Sequence, residues 1–285
     1  MSATLRFTIL GCGSSGGVPR IGGHWGACDP ANPKNRRSRC SMLVERTTGQ
    51  GTTRVLIDSS PDMRAQLLAA GVGELDAVLY THEHADHVHG LDDLRMVVLN
   101  MRRRLPVWAD SRTAEALVSR FGYAFIQPEG SLYPPILDLH EITADPVTVT
   151  GAGGAITARP FRVGHGSIDS LGFRIGPLAY LPDAKEIYPP AWAVLEGLDT
   201  FVVDALRYKP HLTHTHLAQT LEWIARLAPR RAVLTNLHID MDHATLDAET
   251  PDHVTPAHDG MVIAYRELPG GQGFEAIEAE ERCDG

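Results

Sequence analysis

The chain has 285 residues, 43% hydrophobic and 21% charged, with a formal net charge of -9. A chain of this length can bury a hydrophobic core without disulfides, and its four irregularly spaced cysteines exclude a disulfide framework and favour a reducing compartment. The excess of acidic residues argues against a dedicated duplex nucleic-acid surface, because Lys and Arg supply most contacts to phosphate backbones.

The sequence begins without the apolar segment of a signal peptide and contains no run of about 18 apolar residues. We therefore expect a cytoplasmic protein that does not associate with membranes. The length predicts one large domain or two that pack closely, and we favour a single hydrolase domain over residues 1–285.

The first half of the chain alternates short β-rich runs with helical segments. A glycine-dense turn at 11–17 follows the first strand and leads into a loop reaching Cys40. Ser60 and Pro61 predict a helix N-terminus. The pattern predicts strands at 5–10, 41–45, 54–57, 77–80 and 105–108, and helices at about 61–70, 91–101 and 112–121.

The second half is richer in strands. A Pro- and Gly-rich segment, 127–135, predicts a surface loop over a cleft. The pattern then predicts strands at about 137–142, 147–149, 156–163, 170–175, 178–181, 200–204, 231–234 and 261–265, and helices at 189–197 and 217–227. Runs of strands on both sides of interspersed helices favour two stacked sheets with helices outside.

A cluster of metal-ligand side chains follows the buried strand 77–80: His82, His84, Asp86 and His87. In an extended chain His82 and His84 point the same way, and a turn brings Asp86 and His87 back toward them. Imidazole and carboxylate groups at this spacing predict a metal centre rather than a polar loop of solvated histidines.

This His-x-His-x-Asp-His pattern resembles that of the metallo-β-lactamase superfamily. The resemblance implies an α/β fold, a four-layer αββα sandwich with two metal ions at one edge of its sheets. It implies that His82 and His84 bind one ion and that Asp86 and His87 bind the other. His165, at a later strand end, would complete the first ion, and Asp183, after the strand 178–181, would bridge both.

The last ligand implied by the resemblance is less direct. Relatives carry histidine directly after the strand and its threonine, whereas here Thr235 is followed by Asn236. We predict His238 as the remaining ligand of the second ion, with His243 as the alternative.

Further segments resemble the cyclic-phosphodiesterase branch linked to the carbon–phosphorus lyase pathway: 10–19, the loop 29–39, 56–62, and His211-x-x-His214 before a helix. That branch opens a cyclic ribose phosphate. Its members often hold a structural zinc with three cysteines of the N-terminal loop and a later histidine. Only Cys28 remains here. Gly23 and Trp25 occupy the other two cysteine positions and Met241 lies near the position of the histidine, so we do not expect this zinc.

Nitrogen and carboxylate ligands without thiolate suit two divalent ions, manganese or zinc, with iron a further option. Two such ions about 3.5 to 4 Å apart activate a shared water as the nucleophile. We assign Asp86 as a catalytic residue as well as a metal ligand. A leaving alkoxide needs a proton, and we assign His214 as the acid with His211 second; both are also expected to contact substrate.

Two flanking features support this centre. Asp58 ends the strand before the helix 61–70, and we expect it to orient a metal-bound histidine. Arg36 and Arg37, in the N-terminal loop, are candidate ligands of a substrate phosphate, although solvated loop charges are the alternative.

The sequence thus predicts a dinuclear metal phosphodiesterase acting on a small cyclic phosphate or nucleotide-like diester. The alternatives are a tRNA 3′-processing endonuclease, a thioester or lactone hydrolase, and a non-catalytic metal-site binding protein for which Asn236 is the hint. The expected partner is a small phosphorylated substrate, without stable duplex nucleic acid or membrane, and a homodimer is left open.

Overall fold

The computed structural model describes residues 3–278. They form two compact units: residues 3–10, 41–157 and 262–278 belong to the first, and residues 11–40 and 158–261 to the second. The expectation of one domain over 1–285 stays a prediction. Cys283 lies outside the described residues.

The strands, in chain order, are β1 (Thr4–Gly11), β2 (Ser41–Thr48), β3 (Gly51–Ile57), β4 (Ala77–Leu79), β5 (Leu105–Ala109), β6 (Leu137–Glu141), β7 (Val147–Gly151), β8 (Gly154–His165), β9 (Ile168–Ile175), β10 (Leu178–Leu181), β11 (Glu186–Ile187), β12 (Thr200–Asp204), β13 (Arg231–Thr235), β14 (Val254–Pro256), β15 (Val262–Glu267) and β16 (Phe274–Ile277). The α-helices are α1 (Met63–Ala69), α2 (Ala85–Val88), α3 (Leu94–Met101), α4 (Ser111–Phe125), α5 (Pro189–Leu195), α6 (Leu217–Leu227) and α7 (His243–Glu249).

The sheet of the first unit has the strand order β16-β15-β1-β2-β3-β4-β5-β6. Its strands β3, β4, β5 and β6 are parallel neighbours. Parallel strands end at one edge of a sheet, so Asp58, Thr81 and Asp110, which follow β3, β4 and β5 closely, reach the same edge. One face packs on α1, α3 and α4 through a core that includes Leu56, Val107 and Leu117.

The sheet of the second unit has the order β11-β8-β9-β10-β12-β13-β14. Strands β10, β12, β13 and β14 are parallel, while β9 is antiparallel to both β8 and β10. The carboxyl ends of β8, β10, β12 and β13 therefore reach one edge. His165, Asp183, Asp204 and Asn236 lie at or just after these ends.

Helix α6 packs on the central strands of the second unit and helps to hold them in place. Its Leu217 and Ile224 are buried in a core with Val203 and Leu234 of the central strands. Each Å² of apolar surface removed from water contributes about 25 cal/mol to folding. We therefore expect this packing of helix on sheet to be the main contribution to the stability of the second unit.

Several predicted elements match the structure in both bounds: the strands 178–181 and 200–204 and the helix 217–227. The predicted start of the first helix was wrong, because α1 begins at Met63 and Ser60 instead closes the preceding turn, accepting from Asp62 N. The predicted helix 91–101 starts with a 3₁₀ turn at Leu91–Asp93 before α3.

The segment 127–135 is a loop, as predicted. Its Pro128, Ser131, Tyr133 and Pro134 line a pocket of about 410 Å³ together with Arg95 and Tyr123. Within residues 3–278, the sequence pattern missed the helices α2 and α7 and the strands β11, β14 and β16. No helix within residues 3–278 is both long and apolar enough to cross a membrane.

Candidate metal centre and its flanking residues

The predicted ligand motif of the first unit folds back on itself. His82 lies three residues after the end of β4, and helix α2 begins one residue after His84. The His82 ring centroid lies 4.6 Å from that of His84 and 4.3 Å from that of His87. Oδ2 of Asp86 lies 3.6 Å from Nε2 of His87. The structure therefore brings together the four side chains of the motif.

Buried hydrogen bonds orient two of these rings. The Asp58 carboxylate accepts from His87 Nδ1 at 2.7 Å and from the backbone N and Oγ1 of Thr81, both at 2.8 Å. Oγ1 of Thr81 lies 2.9 Å from Nδ1 of His82. With Nδ1 engaged, Nε2 is the nitrogen that each ring would present to a metal, which is the usual arrangement around metal-binding histidines.

Asp58 makes the predicted contact to a histidine of the motif, and its backbone is unusual. Its φ of 62° places it in the left-handed region, which non-glycine residues seldom adopt and which occurs disproportionately at functional sites. Burial raises the pKa of Asp58, and the adjacent His87 opposes that increase.

The ligands predicted in the second unit are also neighbours. Nε2 of His165 lies 3.5 Å from Oδ2 of Asp183, and both side chains are buried. The Thr213 carbonyl lies 2.7 Å from Nδ1 of His165. Gly166 permits this approach, because its φ is +69° and an added Cβ would lie 2.4 Å from Thr213 Cγ2.

His214, the predicted acid, is held by a buried carboxylate. Its Nδ1 lies 2.9 Å from Oδ2 of Asp204 and 3.8 Å from Oδ2 of Asp183. Asp204 also accepts from Ala184 N at 3.0 Å and from Asn236 Nδ2 at 3.2 Å. Burial raises the pKa of Asp204 to about 6, while His214 opposes the increase.

Asn236, which stands where relatives carry a histidine ligand, is bonded to the residues around His214. Its φ of 60° and its buried amide turn it toward Asp204, and Nδ2 lies 3.1 Å from His214 Nδ1. Asn236 therefore belongs to the network around the predicted acid.

His211, the second predicted acid, lies beside the first. Its ring centroid is 5.3 Å from that of His214. Its Nδ1 accepts from the N and Oγ1 of Thr213, both at 3.3 Å. Burial lowers the pKa of His211, and His214 adds to the decrease. These contacts suit a neutral ring that donates from Nε2.

The two alternatives for the last ligand differ in their surroundings. Nδ1 of His238 lies 2.5 Å from Oδ1 of Asp240, and its Nε2 contacts the guanidinium of Arg20. His243 is buried at the start of α7, where its backbone N donates to Asn35. Burial lowers the pKa of His243 to about 4. A carboxylate anchors Nδ1 of His238, as Asp58 anchors Nδ1 of His87.

Arg36 and Arg37 are adjacent in sequence but differ in environment. Arg37 is 2% exposed, and its guanidinium contacts Asn35 Oδ1 at 3.2 Å and Cys28 Sγ at 3.8 Å. The prediction of Arg37 as a substrate contact was wrong, because its guanidinium is buried and bonded within the loop. Arg36 is exposed, 5.4 Å from the ring centroid of Trp25.

A partly buried carboxylate anchors the N-terminal loop within the second unit. Asp259 accepts from Ser38 N and Oγ at 2.7 and 2.6 Å and from Cys12 N at 3.1 Å. Burial raises the pKa of Asp259 to about 6.

Cys12, Cys28 and Cys40 are free thiols, and burial raises the pKa of each.

The donor set fits a divalent metal. His82, His84, His165 and Asp183 each offer an atom of the type that holds such ions. Nδ1 of His82 and Nδ1 of His165 each lie within hydrogen-bond distance of an oxygen, and the neighbouring His87 is held in the same way by Asp58. Sequence reasoning missed Asp204, Asp240 and Arg20. Asp204 could have been predicted as a residue that orients a histidine, because it ends a buried strand. Asp58, for which that role was predicted, follows the buried strand β3.

A family model described as the beta-lactamase superfamily domain matches residues 53–239. A crystal structure described as a new diphosphatase from the PhnP family is 32% identical, with a TM-score of 0.82 over 93% of this chain and 99% of that one. The predicted αββα metallo-β-lactamase fold is thereby confirmed.

Two curated relatives carry other names. The octanoyltransferase of Porphyromonas gingivalis is 36% identical over 90% of this chain and 51% of its own length, so this chain spans about half of that relative. A ribonuclease Z of Bradyrhizobium is 34% identical over 57% of this chain and 51% of its own length.

Proposed function

The chain belongs to the PhnP family of the metallo-β-lactamase superfamily, and on that premise we propose that this metal-dependent hydrolase cleaves a small cyclic phosphate or nucleotide-like phosphodiester. The observation that carries the proposal is the pairing of His214 with the buried Asp204 beside Asp183. A histidine held in this way can protonate an alkoxide, the leaving group of a phosphodiester.

The order in which the ligand residues occur along the chain matches that of the family and supports two divalent ions. These are manganese or zinc, with iron a further option. His82, His84 and His165 would hold one ion, Asp86, His87 and His238 the other, and Asp183 would bridge them. Ions bound by these residues would supply an activated water and polarise a phosphoryl oxygen.

The second unit supplies the acid. Because Asp204 engages Nδ1 of His214, Nε2 is the nitrogen that can give its proton to the leaving oxygen. A positioned acid of this kind contributes on the order of 10² to 10⁴ in rate. His211 lies next to it and can donate a hydrogen bond to the substrate, as can the exposed Arg36.

A diphosphatase is the second candidate, because a PhnP-family diphosphatase is 32% identical over 99% of its length. The two candidates differ in leaving group. A phosphate leaving group is a far weaker base than an alkoxide and needs less protonation, so His214 matters less for a diphosphate.

Purified protein loaded with manganese or zinc tests the proposal against a panel. The panel contains a cyclic ribose phosphate, a cyclic nucleotide, bis-p-nitrophenyl phosphate, a nucleoside diphosphate, precursor tRNA, a thioester and a β-lactam. We expect turnover of the small phosphodiesters. Activity confined to the thioester and the lactam contradicts the proposal, whereas salt-sensitive cleavage of precursor tRNA favours the endonuclease alternative.

The sensor alternative predicts binding without turnover on the same panel. The partner we propose is a small phosphorylated molecule rather than duplex nucleic acid or a membrane surface. A homodimer stays a prediction, to be measured by sedimentation.

A further inference from the structure

Arg20 contacts the nitrogen with which His238 would bind a metal. The Arg20 guanidinium meets Nε2 of His238, while Nδ1 of the same ring lies 2.5 Å from Asp240. We infer that Arg20 binds a non-bridging oxygen of the phosphoryl group undergoing hydrolysis. This inference rests on the proposed function and adds a substrate-binding residue to it.

The backbone around Arg20 is held in a tight turn. Arg20 N donates to the His24 carbonyl at 3.0 Å, and the Arg20 carbonyl accepts from Gly23 N at 2.9 Å. The side chain passes close to Gly16, where an added Cβ would lie 3.2 Å from Nε and 3.3 Å from Cγ of Arg20. Gly16 therefore leaves room for the guanidinium to reach His238, 218 positions along the chain.

The charge of Arg20 is not neutralised within residues 3–278, where no carboxylate lies within ion-pair distance of its guanidinium. Many other arginines of this acidic protein are paired. Arg103, Arg112 and Arg230 lie 2.9, 2.7 and 2.7 Å from carboxylate oxygens. Arg20 is also exposed, so its charge is available to an anion that enters from solvent.

The chemistry of phosphoryl transfer gives this placement its meaning. Hydrolysis at phosphorus builds negative charge on the non-bridging oxygens, and arginine clamps on such groups stabilise it. A planar guanidinium donates two parallel hydrogen bonds to a phosphate, which the point charge of lysine does not reproduce. A metal ion held by Nε2 of His238 would take the lone pair to which Arg20 donates. The guanidinium would then be released beside the ion, where it can make these bonds to the group that reacts.

The test compares Arg20→Ala and Arg20→Lys with Arg230→Ala, an exposed arginine of the same unit that pairs with Asp199. Three quantities are measured on metal-loaded protein: bound metal by elemental analysis, inorganic phosphate binding by calorimetry, and kcat/KM for the best phosphodiester of the panel. For Arg20→Ala we expect unchanged metal content, at least tenfold weaker phosphate binding and a loss of about 100-fold in kcat/KM. Arg20→Lys should recover only part of both losses, and Arg230→Ala should match the wild type.

Phosphate binding and kcat/KM of Arg20→Ala within threefold of the wild type would overturn the inference. Loss of bound metal with unchanged phosphate affinity per loaded site would also overturn it, since Arg20 would then only position His238. A wild type that hydrolyses no phosphorylated compound contradicts the proposed function instead, and the phosphate-binding comparison still decides the role of Arg20.

Discussion

Exchange of Asp204 for Asn removes the charge that holds His214 while keeping the shape of the side chain. Asp204 accepts from His214 Nδ1 at 2.9 Å, from Ala184 N at 3.0 Å and from Asn236 Nδ2 at 3.2 Å. An amide at this position has one acceptor oxygen instead of two. Its NH₂ group would compete for Nδ1 of His214 and favour the wrong tautomer for an acid.

The expected loss follows from the hydrogen bond to His214. A hydrogen bond to a charged group contributes about 1.5 to 3 kcal/mol, and each 1.36 kcal/mol is a factor of ten in rate. Asp204→Asn should therefore lower kcat by roughly 10- to 150-fold for a diester with an alkoxide leaving group. Replacement of His214 by Gln removes the acid and should cost about 10² to 10⁴.

The assay varies the leaving group. Methyl and p-nitrophenyl esters of one phosphate are compared in Asp204→Asn, His214→Gln and the double variant, with Asp199→Asn as the control for charge removal at an exposed ion pair. A p-nitrophenolate leaves without protonation, so only the methyl ester should lose rate. The double variant should be no slower than His214→Gln, because the two residues act as one unit.

Equal losses on both esters in Asp204→Asn would refute the reasoning, since a structural defect does not discriminate between leaving groups. So would a methyl ester rate within twofold of the wild type. Measured secondary structure and bound metal should stay constant across the series.

Two further substitutions test the metal ligand Asp183 and the carboxylate of Asp259, which anchors the N-terminal loop. Asp183→Ala should abolish turnover and lower the metal content measured by elemental analysis, and retention of both would refute the bridging role. For Asp259, burial raises the pKa to about 6, above its value of about 4 in an unfolded chain, so its stabilising contribution is complete below pH 4 and is lost as the pH rises through 6. Urea unfolding should therefore show wild type losing about 1.4 kcal/mol between pH 5 and pH 7.5 relative to Asp259→Asn, and a constant difference would contradict the raised pKa.

Local spacing was sufficient to predict the motif of the first unit. His82, His84, Asp86 and His87 fall within six residues after a buried strand, and the turn into α2 brings them together. Asp183 and His165 were assigned by resemblance, and both lie at strand ends as expected. Their Nδ1 and carboxylate contacts could not be read from the sequence, because the partners come from other loops.

Two features of the site that the sequence did not predict, the Arg20 contact and the burial of Arg37, depend on long-range contacts. Arg20 meets His238 across 218 positions, and no local pattern predicts that pairing. Arg36 and Arg37 look alike in a charge run, yet only Arg37 is buried. Helix α7 had a local signal in Asp242, whose side chain accepts from Thr245 N. His238 and His243, on either side of Asp242, were instead considered only as alternative metal ligands.

The central claim is tested most directly by phosphodiester hydrolysis as a function of bound metal. Chelator-treated protein is reloaded stepwise with manganese or zinc, and the hydrolysis of a cyclic phosphate is followed alongside metal content. We predict activity that disappears with the metal and returns to a maximum as two ions bind per chain. Hydrolysis undiminished after metal removal, or absent at every loading, would contradict the account.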